Sequence, residues 1–171
     1  MKIAPQRLKA FLLDAELLDA KSLEAAEKRA QKSSKDLGEV LISDGKITEE
    51  DLAKLEAYIL GIPFVDLEHE KIPEEILRII PEPIARTHNI VAYRQSGNTL
   101  EVAMLDPENL GTIDFIKKTS NLKILPRLTT RLSLKHLLAQ YRRSLESEFG
   151  NIIKKESEAA LAAPYSVEGK E

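Results

Sequence analysis

The chain has 171 residues, with 25 Lys and Arg against 28 Asp and Glu and a formal net charge of −3. Hydrophobic residues make up 43%, and no apolar run approaches the roughly 20 residues of a membrane helix, so a soluble chain of one domain or two small ones is expected. The absence of cysteine excludes disulfides, thiolate metal sites and thiol nucleophiles and fits a reducing cytoplasm, while the absence of Trp leaves little for stacking single-stranded nucleic acid.

A repeat opens the chain. Shifted by 29, residues 7–30 align with 36–59, which places Leu8 on Leu37, Phe11 on Val40, Leu12 on Leu41, Leu18 on Ile47 and Leu23 on Leu52. Apolar positions coincide while polar ones drift, the mark of a repeated structural unit. Each copy predicts a short helix, a tight turn and a longer helix. In the second copy Leu37, Val40 and Leu41 share a helical face, and Gly45 supplies a left-handed residue to end it. Thr48 then caps the next helix, with Glu49, Glu50 and Asp51 in the first turn where the helix dipole favours acids. Asp19 or Ser22 caps the matching helix of the first copy. Two such pairs can bury their stripes only against each other, so a four-helix unit is expected over residues 1–60.

At Pro63 the period changes. Residues 64–67 (FVDL) predict a short strand, and 73–80 (PEEILRII) a short helix with Pro73 at its first position, broken by Pro81 and Pro83. Residues 89–95 and 99–105 flank Ser96-Gly97-Asn98 and read as a hairpin. Asp106 with Pro107 predicts the cap of a helix running through about residue 119. Residues 122–128 read as a strand whose Pro126 favours an edge or a bulge. Strand, helix and strand over 99–128 imply a parallel, right-handed crossover. Thr130 caps a last helix with Leu134, Leu137, Leu138 and Tyr141 on its apolar face, and residues 144–171 read as a linker or frayed helix. The expected fold class is α+β or α/β: the helical repeat unit, then a small three-layer-like α/β unit over 61–143.

Catalytic signatures are missing. The glycines at 38, 45, 61, 97, 111, 150 and 169 cannot form a phosphate-binding loop, which needs two of them five residues apart before Lys-Ser or Lys-Thr. The chain is therefore expected not to be an enzyme by itself. His69, His88 and His136 are isolated in sequence. Glu68-His69-Glu70 resembles a string of metal ligands, yet neighbours on an extended chain face opposite sides, so no metal site is expected.

Residues 121–143 carry six basic side chains (Lys123, Arg127, Arg131, Lys135, Arg142 and Arg143) and no acidic one. Nucleic-acid modules are basic over the whole domain, and this chain is not. Scattered solvated charge is the plain reading; docking on an acidic protein surface is the functional one. Arg131, Lys135 and Arg142 share one side of the last helix, and with Arg127 they are the candidate docking cations.

The repeat, followed by 61-GIPFVDL-67 and 101-EVAMLDPENL-110, resembles the N-terminal region of the hexameric ATPases that power bacterial type II secretion and type IV pilus assembly. The resemblance covers about residues 7–143. It implies a non-catalytic, cytoplasmic docking and regulatory domain, peripheral to the inner membrane. Its implied partners are the cytoplasmic part of an inner-membrane platform protein and the chain's own downstream ATPase domain, with no nucleic acid and only indirect membrane contact. Some members of that family bind cyclic di-GMP through the two repeats. Arg7, Leu8 and Leu12 match that motif in the first copy, and Leu37, Gly38, Leu41 and Gly45 in the second. Lys9 and Glu16 stand where glycines are expected, Asp36 where an arginine is, and Ala30 and Ile59 where glutamines are. Bulky side chains and a carboxylate oppose a dianionic ligand there, so the expectation is no cofactor, with cyclic di-GMP sensing as the alternative.

Overall fold

The computed structural model describes residues 3–162. Four helices come first: α1 (Pro5–Asp14), α2 (Ala20–Ser33), α3 (Leu37–Ser43) and α4 (Glu49–Leu60). Their core joins the residues that the repeat pairs. Leu8 and Leu37, Leu12 and Leu41, and Leu23 and Leu52 are all buried in one cluster. Complete burial of one such leucine stabilises by roughly 1.5–3 kcal/mol. Thr48 caps α4, its Oγ1 accepting from the Asp51 N–H at 3.1 Å. Asp19 takes the N-cap position of α2, and hydrogen bonding to Ser22 holds its carboxyl below the usual range.

The two copies keep the same backbone with different residues. Gly45 has φ +69°, and Glu16, its equivalent 29 residues earlier, has φ +54°. The longer helices end alike, on left-handed Ser34 after α2 and left-handed Gly61 after α4. Gly38 has a different role. A Cβ there would lie 2.8 Å from Leu52 Cδ2 and 3.3 Å from Asp36 Oδ2, so its missing side chain lets α3 pack against α4.

A second cluster is built on the sheet β1 (Ile90–Ser96), β2 (Thr99–Met104) and β3 (Lys123–Leu128), in the order β1-β2-β3. The first pair is antiparallel, closed at Gly97-Asn98, with Gly97 at φ +58°. Strands β2 and β3 are parallel, joined through α7 (Leu110–Ser120), and Pro126 lies on the edge strand where its missing N–H costs no ladder bond. Four consecutive buried residues, Ile90 to Tyr93, show that both faces of β1 are covered. Helices α5 (Glu74–Leu77), α6 (Glu82–His88) and α8 (Arg131–Ala162) contact β1, and α7 contacts β3. Thr130 caps α8, its Oγ1 accepting from the Ser133 N–H at 3.1 Å. A small cluster of Ala53, Ala57, Phe64 and Leu128 joins α4 to the sheet.

Several local expectations are corrected. Residues 64–67 make no strand but a single parallel bridge, Phe64 to Leu128, because the chain leaves the sheet at once to pass under α8. Pro73 is the residue before α5 rather than its first, and that helix ends at Leu77. Pro83 starts a helix instead of only ending one: it sits in the first turn of α6, where a missing N–H is harmless. Asp106 and Pro107 do not cap α7. Asp106 Oδ1 accepts from the Glu108 N–H in a tight turn, and Asn109 caps the helix through the Thr112 N–H. The final helix continues through residues 144–162; residues 163–171 of the expected linker lie outside the described part.

Two substitutions probe the repeat. A non-glycine residue in the left-handed region is strained by about 1 kcal/mol, so Glu16→Gly should raise stability by roughly 0.5–1 kcal/mol, read as a higher urea midpoint at constant slope. Gly38→Val should lower stability by about 2 kcal/mol without any nucleotide present, because its methyls overpack against Leu52.

A candidate docking cleft on the last helix

The polar side chains of α8 position this helix. Ser133 Oγ accepts from the Leu67 N–H at 3.1 Å. Gln140 accepts from the Ile72 N–H at 2.9 Å and donates to the Glu70 carbonyl at 2.8 Å. The Tyr141 hydroxyl lies 2.9 Å from the Leu77 carbonyl and 2.7 Å from that of Ile80. Burial, then the nearby Glu82, push the Tyr141 phenol well above its ordinary range, so it stays a neutral donor. With Ser133, Gln140 and Tyr141 turned inward, the opposite flank of the helix faces water.

That flank borders a cleft of about 740 Å³ between α8 and the end of α6. Arg131, Lys135, Arg142 and Arg143 line it from α8, Arg86 lines it from α6, and Glu146 is its one acidic residue. Arg86 is held in place: Nε donates to Glu82 at 2.8 Å, and Nη2 reaches the Leu138 carbonyl at 3.4 Å. Among the described residues no ion pair neutralises Arg131, Lys135, Arg142 or Arg143. Like charges four residues apart on a helix cost a few tenths of a kcal/mol, so the row is mildly unfavourable until an anion arrives.

The structure thus brings together three of the four candidate cations. Arg127 is elsewhere, on β3, where its Nε lies 3.4 Å from Glu101, which Arg94 also approaches at 3.3 Å. Burial and the same Glu101 push the Tyr93 phenol up to about 12. Arg86 was missed in the sequence because the helix carrying it hides behind two prolines. Its signal was Pro83 followed by a basic turn and Asn89, a first-turn proline and a left-handed stop.

The seven candidate nucleotide residues do not form one polar site. Leu8, Leu12, Leu37 and Leu41 are core residues and Gly38 is occupied by helix packing. Arg7 Nη2 reaches the Ile59 carbonyl at 3.4 Å, tying the first copy to the end of the second. Lys9 pairs with Glu27 at 2.9 Å. Asp36 lines a different cleft, of about 530 Å³, between the helical repeat and the start of α8, together with Glu39, Glu49 and Glu56. Arg131 is the cation of that acidic cleft, and Glu49 accepts from its backbone N–H at 3.1 Å.

Residues 60–148 match the MshEN domain, from the end of the repeat to the middle of α8. The type IV pilus assembly ATPase PilB of Myxococcus xanthus is 26% identical over 135 residues, or 79% of this chain. The chain spans 24% of that relative's length. Among solved structures, MshE with cdg (cyclic di-GMP) superposes with a TM-score of 0.63 at 25% identity, over 77% of this chain and 94% of that one. The N-terminal domain of XpsE shares the fold, with a TM-score of 0.56 at 22% identity over 81% of this chain and 96% of that one. The match over more than half of its residues, on the unit that carries the cleft, shows that this chain belongs to the MshEN domain family.

Proposed function

We propose that this chain is a non-catalytic docking and regulatory domain of a type IV pilus assembly or type II secretion ATPase. In this reading the helical repeat occupies residues 1–60 and the α/β unit 61–143. The domain works in the cytoplasm and binds an acidic surface on the cytoplasmic part of an inner-membrane platform protein, while its own ATPase domain follows in the chain. The observation that carries the reading is the cleft of Arg131, Lys135, Arg142 and Arg143, which no ion pair neutralises among the described residues, with the Glu82-paired Arg86 beside them, in a chain of net charge −3. No described helix is long and apolar enough to cross a membrane, so membrane attachment would run through that partner. The test reverses Arg131, Lys135 and Arg142 to Glu together, checks folding, and measures association with the platform segment. At low salt the on-rate should fall about tenfold or more, and the difference should shrink toward 0.15 M ionic strength, where the Debye length is about 8 Å. Equal rates for both proteins at low salt would show that the cleft is only solvated.

The likeness to MshE with cdg favours a second reading, a cyclic di-GMP sensor. We infer that such binding is weak. A dianion approaching the second copy meets Asp36, and the nearby cleft adds Glu39 and Glu49. Arg7 would have to leave the Ile59 carbonyl to pair with phosphate. Calorimetry should therefore show no heat of binding at micromolar ligand. A sub-micromolar dissociation constant that disappears in Arg7→Ala would reverse this conclusion.

A further inference from the structure

The apolar stripe of α8 does not stop where the body of the protein stops. Leu134, Leu138, Tyr141, Leu145, Phe149 and Ile152 follow one another at spacings of three and four, a single face at 3.6 residues per turn. The first three pack against the sheet cluster. The last three are 55%, 65% and 52% exposed, and Ile153 beside them is 49% exposed. The stripe is core in its first half, and among the described residues no element covers the second.

We propose that α8 is a two-part rail for one amphipathic helix of a protein partner, acidic along the half that fills the basic cleft and apolar along the half that covers Leu145, Phe149, Ile152 and Ile153. The proposal rests on the docking reading of the cleft and extends it to the form of the docked element. Continuity is the first argument, because the cleft reaches Glu146 and Leu145 begins the bare stripe beside it. Charge is the second. Residues 131–143 hold four Lys and Arg and no acid, whereas 144–156 hold three acids and two lysines, so only the first half demands anions. Size is the third. Four half-exposed side chains form a patch of the few-hundred-Å² class that marks interaction sites. That falls short of the about 800 Å² per partner of a stable interface, so the stripe alone would hold a second copy poorly.

The probe is a synthetic helical peptide with glutamates along its first two turns and a leucine stripe along the next two. One companion peptide has its leucines replaced by serine. Binding to the 171-residue chain is read by fluorescence anisotropy, with far-UV circular dichroism to confirm that each protein variant folds. The first peptide should bind, and its affinity should fall at least tenfold both in Arg131→Glu/Lys135→Glu/Arg142→Glu and in Leu145→Ser/Phe149→Ser/Ile153→Ser. Leu132→Ser is the control: Leu132 is 56% exposed but about 140° round the helix from Leu145, so binding should not change. If only the cleft variant weakens binding, or the serine peptide binds equally well, docking on the cleft stands and the rail is wrong. If only the stripe variant does, both fail. No binding by the first peptide also overturns the rail, as does a dimer in sedimentation velocity that the stripe variant dissolves, since a second copy then covers the face. Stripe-dependent binding to phosphatidylglycerol vesicles without peptide binding would assign the face to lipid instead.

Discussion

Segment 65–80 crosses the body with almost no ladder of its own, and the side chains of one helix satisfy its backbone. Thr129 donates to the Val65 carbonyl at 2.8 Å just before α8 begins. Ser133, Gln140 and Tyr141 then take Leu67, Glu70, Ile72, Leu77 and Ile80 in chain order. A buried backbone group left without a partner costs about 1–3 kcal/mol. Sliding or rotating α8 by one residue would break several of these bonds at once. The register of the helix is therefore fixed over its first three turns, and with it the direction in which Arg131, Lys135 and Arg142 point. The cationic row on the outside follows from the polar residues on the inside.

Charge is handled differently on the other helices. Lys54 pairs with Glu50 on α4, Arg78 with Glu74 on α5 and Arg86 with Glu82 on α6, each four residues apart. Helix α8 has no acid within its first three turns to do the same. Its N-terminus instead takes a carboxylate from another element, Glu49 of α4, at the backbone N–H of Arg131. An acid there is favourable to the helix dipole, and it ties the repeat to the α/β unit. It also leaves Arg131 between two clefts of opposite sign, one lined by Asp36, Glu39 and Glu49 and the other by Lys135, Arg142 and Arg86. The sign of the lining charge therefore changes across Arg131.

Periodicity made the helices, the hairpin and the parallel pair readable, since each depends on local spacing of apolar residues. The misreadings lie where spacing is silent. Phe64 to Leu67 has the composition of a strand, but its backbone partners are the Leu128 backbone and the Thr129 and Ser133 side chains, some sixty residues away, which no local pattern reveals. Asp106-Pro107 has good capping chemistry, and Asn109 three residues later has it as well. Only the path of the chain out of β2 decides between them. Of the cleft, Arg131, Lys135 and Arg142 could be read from helical spacing, whereas Arg86 required knowing that α6 packs on α8. Arg127 fell in the same basic run but on a strand, and proximity in sequence put it in the wrong group.

The repeat keeps its backbone while its polar residues vary. Its two copies agree where the backbone is demanding: Glu16 and Gly45 are equivalent and both left-handed, and each longer helix ends on a left-handed residue, Ser34 and Gly61, although these lie two residues out of the shift. They agree again in the leucines that share one core. They differ in charge on the first helix of each copy: Lys9 stands opposite Gly38, and Arg7 opposite Asp36. Glu16 holds a conformation that costs an ordinary residue about 1 kcal/mol, which the surrounding core can absorb, since one fully buried leucine contributes more than that. The fold rests on the shared leucines rather than on the charges at these positions, so the helical frame alone is poor evidence for a bound nucleotide. The basic cleft stands on firmer ground: the bonds that hold α8 in register also aim its cations.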